Sequence, residues 1–309
     1  MRVAFLGTPD AAVPSLEALV AADDVEVVAV VTNPDRARGR SRRVAPPPVK
    51  VAAEAHGLPV WQPERPSEIV DDLAALHVDA AAVVAYGAIL APAVLAAGGR
   101  GFVNLHLSLL PRWRGAAPVQ HAVRAGDEVT GVTVFVLDAG LDTGPMLAQV
   151  EVPIEPDEPA GRLQDRLARL GAPVLVDSLR RFVAGEEPTP QPEEGVTYAP
   201  KVTPDDVRID WDEPADRIVN LARSADPAPG AHTTFRGERL KVFRARAHDA
   251  QGTPGRVVAT SLEGAVVACG DGAVVLAEVQ PAGKRRMTGE AFARGHRPEV
   301  GEVLGEAAA

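Results

Sequence analysis

Short apolar runs alternate with helical stretches through the first half of the chain. Arg2–Gly7 is rich in β-forming residues, and the stretch 11–22 sets Val13, Leu16, Leu19 and Val20 at helical spacing. Residues 25–32 form a second strand-like run, stopped by the turn signal Asn33-Pro34. The stretch 67–76 reads as a helix with Ser67 as its cap, leading into the apolar run 80–85 and then Tyr86-Gly87. Residues 102–107 and 131–137 supply further strands. Strand, helix and strand recur in order with no hairpin turn between them. The pattern predicts an α/β domain, Rossmann-like, with a mostly parallel sheet.

The second half changes character. Residues 162–183 carry Leu163, Leu167, Leu170, Leu175 and Leu179 at helical spacing, interrupted at Gly171-Ala172-Pro173. Residues 185–204 are rich in Pro, Glu and Thr and read as an interdomain linker. A helix follows, capped by Asp212 with Pro214 in its first turn, carrying Ile218, Val219 and Leu221. Beyond it lie short strands at 240–244, 255–260, 264–269 and 273–279, separated by Gly-containing turns. These predict a small antiparallel β-barrel of OB-like type. The expected division is a catalytic domain over 1–188, a linker over 189–205 and the barrel over 206–309.

Composition narrows the function classes. With 46% hydrophobic residues the 309-residue chain has ample material for two cores. No leader-type segment opens it, and no apolar run approaches the ~20 residues that cross a bilayer. A cytoplasmic protein with no membrane contact is expected, and a monomer. Cys269, in the apolar run AVVACG, reads as a buried small hydrophobe. Net charge is −10, which argues against a protein that coats nucleic acid broadly but leaves room for a local basic patch. Leu6-Gly7-Thr8-Pro9 has one glycine where a dinucleotide-binding turn has three, and no Walker loop occurs, so a nucleotide cofactor is not expected.

Two segments carry candidate chemistry. In GFVNLHLSLLPRWRGAAP, Asn104 and His106 alternate with Val103, Leu105 and Leu107, so the two polar side chains share one face of a strand. Such a pair is costly to bury unless it is satisfied or used. A structural hydrogen-bonded pair and a site both fit; a place near a strand's carboxyl end favours the site. In GVTVFVLDAGLDTGP, Asp138 closes a strand and Asp142 follows between Gly140 and Gly144, where either aspartate fits a plain turn or a site loop.

These stretches, together with FLGTPDAAVPSL, TNPDRARGRSRRVAPPPVK and PAPGAHTTFRGERLKV, resemble the methionyl-tRNA formyltransferase family along essentially the whole chain. The resemblance implies a formyltransferase-type first domain with Asn104, His106 and Asp142 as its catalytic group. It also implies that Ser108, Leu109, Leu110 and Pro111 contact the folate, and that 10-formyltetrahydrofolate is the co-substrate. The residue types suit the chemistry. An amine attacking a formyl carbon builds negative charge on oxygen, which an amide and a ring N–H can stabilise, while a carboxylate can take the amine's proton. No metal is expected, because the histidines lack zinc-ligand spacing.

The acceptor must be read elsewhere. Arg36, Arg38, Arg40, Arg42, Arg43 and Lys50 make a basic run in an acidic chain. Such a run is usually a solvated loop, yet arginines at this density also bind phosphates and stack on exposed bases. The resemblance implies that this loop, with Arg36, Arg38, Arg40, Arg42 and Arg43, enters the acceptor stem of initiator methionyl-tRNA. Arg236, Arg239, Lys241, Arg244 and Arg246, with Lys284-Arg285-Arg286, suggest a second basic surface. Formyl transfer to initiator methionyl-tRNA is therefore expected, the alternative being a small amine such as glycinamide ribonucleotide or an amino sugar. A catalytically inert tRNA-binding protein fits less well with all three reactive residue types in place.

Overall fold

Valine and alanine dominate the strands that build the first sheet, small residues that pack closely on both faces of parallel strands. The computed structural model describes residues 1–38 and 43–305, with only the backbone of Ala37, Arg38 and Arg43. In chain order its first elements are β1 (Arg2–Gly7), α1 (Val13–Val20), β2 (Glu26–Val31), β3 (Arg36–Arg38), β4 (Arg43–Ala45), α2 (Pro48–Ala55) and β5 (Val60–Trp61). There follow α3 (Val70–Ala75), β6 (Ala80–Val84), α4 (Pro92–Leu95), β7 (Phe102–His106), α5 (Pro118–Ala125), β8 (Val129–Val136), β9 (Met146–Pro153) and α6 (Ala160–Val183). The Cα positions group into two compact units. One comprises Met1–Pro118, Val129–Pro153 and Gln164–Pro200; the other comprises Val119–Glu128, Ile154–Leu163 and Lys201–Ala309.

The first unit holds a seven-stranded sheet in the order β5-β2-β1-β6-β7-β8-β9. Strands β5 to β7 along that order run parallel, as predicted. The expectation of no hairpins is corrected: β8 pairs antiparallel with β7, and β9 antiparallel with β8. The β8–β9 connection is the long loop 137–145 rather than a two-residue turn, so it carries none of the short hairpin signals. β3 and β4 make a separate antiparallel pair.

Three local expectations also change. Ser67 caps nothing. It lies in a 3-10 turn, Pro66–Ile69, that begins at a proline, whose absent N–H leaves one fewer donor to satisfy. Glu68 Oε2 instead accepts from the Glu64 N–H at 3.1 Å. Helix α6 is one continuous element of 24 residues with Pro173 inside it, not interrupted. An interior proline costs about 3 kcal/mol; Leu163, Leu167, Leu175 and Leu179, all fully buried, offset that loss. Gly171 is there for contact: a Cβ at that position would stand 2.7 Å from Leu105 Cδ1 on β7.

In the second unit α7 (Ala215–Ser224) starts at Pro214, with no side-chain cap from Asp212. The Ala215 N–H is satisfied by the Asp271 carbonyl at 3.0 Å, which makes a capping side chain unnecessary. The strands are β10 (Ala231–Phe235), β11 (Glu238–His248), β12 (Val257–Ser261), β13 (Gly264–Ala268), β14 (Ala273–Pro281) and β15 (Met287–Thr288), followed by α8 (Gly289–His296). They form one antiparallel sheet in the order β10-β11-β14-β13-β12, with β15 on β14. Val303 and Leu304 make single bridges to Arg256 and Phe235. Cys269 lies in this unit's core, and burial pushes its thiol up to about 12. Among the described residues no helix is long and apolar enough to cross a membrane.

Gly171→Val tests the close approach of α6 to β7. Overpacking against buried Leu105 should cost about 2 kcal/mol, a fall of roughly 4–8 °C in the thermal midpoint. An unchanged midpoint in a calorimetric scan would show that the contact is not tight.

Candidate active site

β7 lies inside the sheet, one strand away from the point where strand order reverses. The chain runs outward through β1, β2 and β5, then returns to place β6 on the other side of β1. Open α/β sheets bind ligands at such reversals, outside the carboxyl ends of the strands. Those ends are tied together here. Thr8 Oγ1 and Asn33 Nδ2 both donate to the Tyr86 carbonyl, at 3.1 and 3.0 Å.

At the carboxyl end of β7, Asn104 and His106 sit on one face. They are 9% and 6% exposed, so the strand carries an amide and an imidazole almost out of water. Val103 and Leu105 take the other face and are buried. The histidine ring meets Phe135 of β8 edge-on, with centroids 6.4 Å apart. Its Nε2 lies 2.8 Å from the Trp113 carbonyl oxygen, which can only accept, so Nε2 carries the hydrogen. Nδ1 faces Asp142 Oδ2 at 3.8 Å, beyond a direct hydrogen bond. The Asn104 side-chain amide has no hydrogen-bond partner among the described residues.

Two loops supply what surrounds this pair. Residues 138–144 begin with an Asx turn, in which Asp138 Oδ1 accepts from the Gly140 N–H at 2.9 Å and the Thr143 hydroxyl at 2.7 Å. Of the two aspartates, then, Asp138 is the turn residue. Asp142 adopts a left-handed backbone (φ 52°), and Gly144 passes so close to the Val136 carbonyl that no Cβ fits. The Gly115 N–H donates to Asp142 Oδ2 at 2.7 Å. Residues 108–117 are pinned in turn. Ser108 Oγ donates to the Arg112 carbonyl at 2.6 Å, Leu110 N–H to Thr133 Oγ1 at 3.0 Å, and Gln149 Nε2 to the Leu110 carbonyl at 3.0 Å. Among Ser108–Pro111 the backbone carbonyls are thus taken up internally, that of Pro111 accepting from Thr197 N–H.

The profile of the family described as "Formyl transferase" matches residues 1–179, and that described as "Formyl transferase, C-terminal domain" matches residues 201–297. The chain belongs to the formyl transferase family. The methionyl-tRNA formyltransferase of Halorhodospira halophila is 50% identical over 98% of this chain and 99% of its own length. That of Magnetococcus marinus is 47% identical over 99% and 98%. The solved N-formyltransferase from Helicobacter canadensis, in complex with folinic acid and dTDP-3-aminofucose, superposes with a TM-score of 0.67 at 17% identity. It covers 92% of this chain and 99% of the other, and shares the fold.

In this formyl transferase, sequence reasoning missed the contribution of the Pro-rich stretch after α6. Thr189 exchanges both backbone hydrogen bonds with Met146, and Arg114 does so with Thr197 and Ala199. Gln191 donates to the carbonyls of Asp142 and Gly144 and accepts from Arg114. A polar side chain framed by Pro190 and Pro192 was the available signal.

The basic run divides. Arg40 and Arg42 lie outside the described residues, as do the side chains of Arg38 and Arg43. Arg36 is exposed on β3. Lys50 is internal to the fold: its ammonium contacts both carboxylate oxygens of Asp35, at 3.0 and 2.9 Å, and Gln62 Oε1 at 2.8 Å. Gln62 Nε2 bonds Asp35 as well, so the base of the β3–β4 hairpin is clamped. In the second unit Arg236, Arg244, Arg246 and Arg286 pair with Glu302, Asp157, Glu263 and Asp226. Much of the expected second basic surface is therefore neutralised locally. Among the described residues no group of three His, Cys, Asp or Glu is placed to hold a metal ion.

The hydrogen bond from Gln62 and the Lys50 ammonium hold the Asp35 carboxyl below the usual carboxylate range. A depressed value means that the clamp is present above the unfolded value of about 3.9 and is lost as pH falls through the lower folded one. Lys50→Met should therefore lower the urea midpoint by a constant amount between about pH 5 and 8, with the difference shrinking below about pH 4. A difference that grows on acidification would be inconsistent with the clamp.

Proposed function

We propose that the chain transfers a formyl group from 10-formyltetrahydrofolate to the α-amino group of initiator methionyl-tRNA, for translation initiation. The observation that carries this is the convergence of Asn104, His106 and Asp142 at one sheet end in a chain half identical, over its length, to a methionyl-tRNA formyltransferase. Residues Ser108, Leu109, Leu110 and Pro111 are assigned to the folate. With their carbonyls engaged internally, they serve as a shaped wall more than as acceptors. Arg36, Arg38, Arg40, Arg42 and Arg43 are assigned to the tRNA, a role favoured by the local reversal of charge in an acidic chain. The chain is proposed to act as a cytoplasmic monomer without metal. Its domains are proposed as catalytic over 1–188, linker over 189–205 and OB-like barrel over 206–309, with the bridges of Val303 and Leu304 bringing the edges of the second sheet toward closure.

The residues divide the chemistry. The amine nitrogen forms its bond to the formyl carbon while that carbon's oxygen takes up charge. Its donors are the Asn104 amide, for which the described residues supply no partner, and the Nδ1–H of His106 in its imidazolium form; the Nε2–H is already committed to Trp113. Asp142 accepts the proton released by the amine, directly or through water. The carbon–nitrogen bond to the folate then breaks, and the folate nitrogen leaves with a proton. Because the donors sit on a buried strand, no reorganisation is needed as charge develops.

Formyl transfer measured with initiator and elongator methionyl-tRNA tests this directly, with glycinamide ribonucleotide and an amino sugar nucleotide as rival acceptors. Turnover with the initiator tRNA alone is expected; turnover only with a small amine would overturn it. Asn104→Ala should lower kcat by roughly 10²–10³, and His106→Ala and Asp142→Ala by a comparable or larger factor. Filter binding of tRNA should change little in these three variants.

A further inference from the structure

We propose that Gln191, held by Arg114, is a positioning residue for Asp142; this rests on the catalytic role assigned to Asp142 above. The side-chain nitrogen of Gln191 donates to the carbonyl of Asp142 at 2.8 Å and to that of Gly144 at 2.9 Å. Its oxygen accepts from Arg114 Nε at 3.1 Å and Nη2 at 2.6 Å. All the polar capacity facing the loop is matched in one orientation only. Turned over, the amide would set its oxygen against two carbonyl oxygens and its NH2 against a guanidinium.

The placement matters because Asp142 is held in a sparsely populated backbone conformation. A left-handed φ on a non-glycine residue costs about 1–3 kcal/mol and persists only where the surroundings over-determine it. Gln191 grips the Asp142 carbonyl on one side while the Gly115 N–H grips its carboxylate on the other. Arg114, next in sequence to Gly115, closes the circuit. Gln191 is itself delivered by backbone pairing on both flanks, Thr189 to Met146 and Ala199 to Arg114. The Pro-rich stretch thus reaches the carboxylate through the backbone carbonyls of its loop.

Polarity gives the sharpest test. Gln191→Glu keeps the shape but points a carboxylate oxygen at two carbonyls, and Gln191→Ala removes the link. Both should lower kcat about tenfold to a hundredfold, the scale of an ångström's misplacement. KM for initiator methionyl-tRNA should stay within about twofold, because no substrate contact is removed. In an Asp142→Asn background either change should add little further loss, since both act through the same group. Arg114→Lys, which loses the guanidinium fork but keeps the charge, should fall in the same direction as Gln191→Ala. Losses that multiply across the Asp142→Asn cycle would overturn the inference, as would wild-type kcat in Gln191→Glu. Wild-type turnover in Asp142→Asn alone would instead overturn the assignment of Asp142, and with it the reason for Gln191.

Discussion

The carboxylate of Asp142 stands beside His106 because one backbone amide, that of Gly115, holds it at 2.7 Å. Neither residue comes from the strand that carries the histidine. The aspartate sits on a loop in a left-handed conformation, and the glycine has a φ of 123° of its own. A Cβ on Gly115 would lie 2.7 Å from the Ala199 carbonyl, so a side chain is excluded by the segment that follows α6. The bond between Asp142 and Gly115 is therefore only as firm as three stretches far apart in sequence that meet at it. Residues 108–117, 138–144 and 189–199 are each short of internal structure and borrow rigidity from one another.

The strand contributes the opposite quality. β7 is paired on both edges and buried on both faces, which leaves Asn104 and His106 almost no freedom to wander. From behind, α6 comes close enough at Gly171 to press on Leu105, the residue between them. A buried polar pair is expensive, and one of its members, the Asn104 amide, has no partner among the described residues. The cost is met by the core beneath the pair. A histidine fixed on a rigid strand facing a carboxylate on an over-determined loop is an arrangement with little freedom to rearrange.

Alternation in LHL and NLH made β7 and its polar face legible, because period-two patterning survives any tertiary context. The strands β1, β2 and β6 were legible for a different reason, as short continuous apolar runs of the kind buried on both faces. What misled were signals of termination. Ser67 and Asp212 have capping side chains, yet a proline start in one case and the Asp271 carbonyl in the other removed the need for them. Pro173 breaks helices in isolation, but four fully buried leucines hold α6 together across it. The antiparallel pairing of β7, β8 and β9 was hidden because β8 follows β7 only after helix α5, and β9 follows β8 only after the loop 137–145. Gln191 was hidden by composition: a Pro- and Glu-rich stretch reads as a tether, and only the tertiary fold brings its amide onto the loop 138–144.

Charge was the least transferable feature. A basic run counts side chains, whereas a polyanion responds to the field that remains after local pairing. Lys50, at the end of the run, is engaged by Asp35 and Gln62 and acts on the hairpin's base. Four of the arginines counted toward the second basic surface face a carboxylate of their own unit. Arg36, Arg239, Lys284 and Arg285 carry no ion pair among the described residues. In a chain of net charge −10, attraction for a phosphate backbone has to come from such unpaired cations, few and exposed. The paired ones hold the fold in shape, and their charge contributes little to the field beyond the surface.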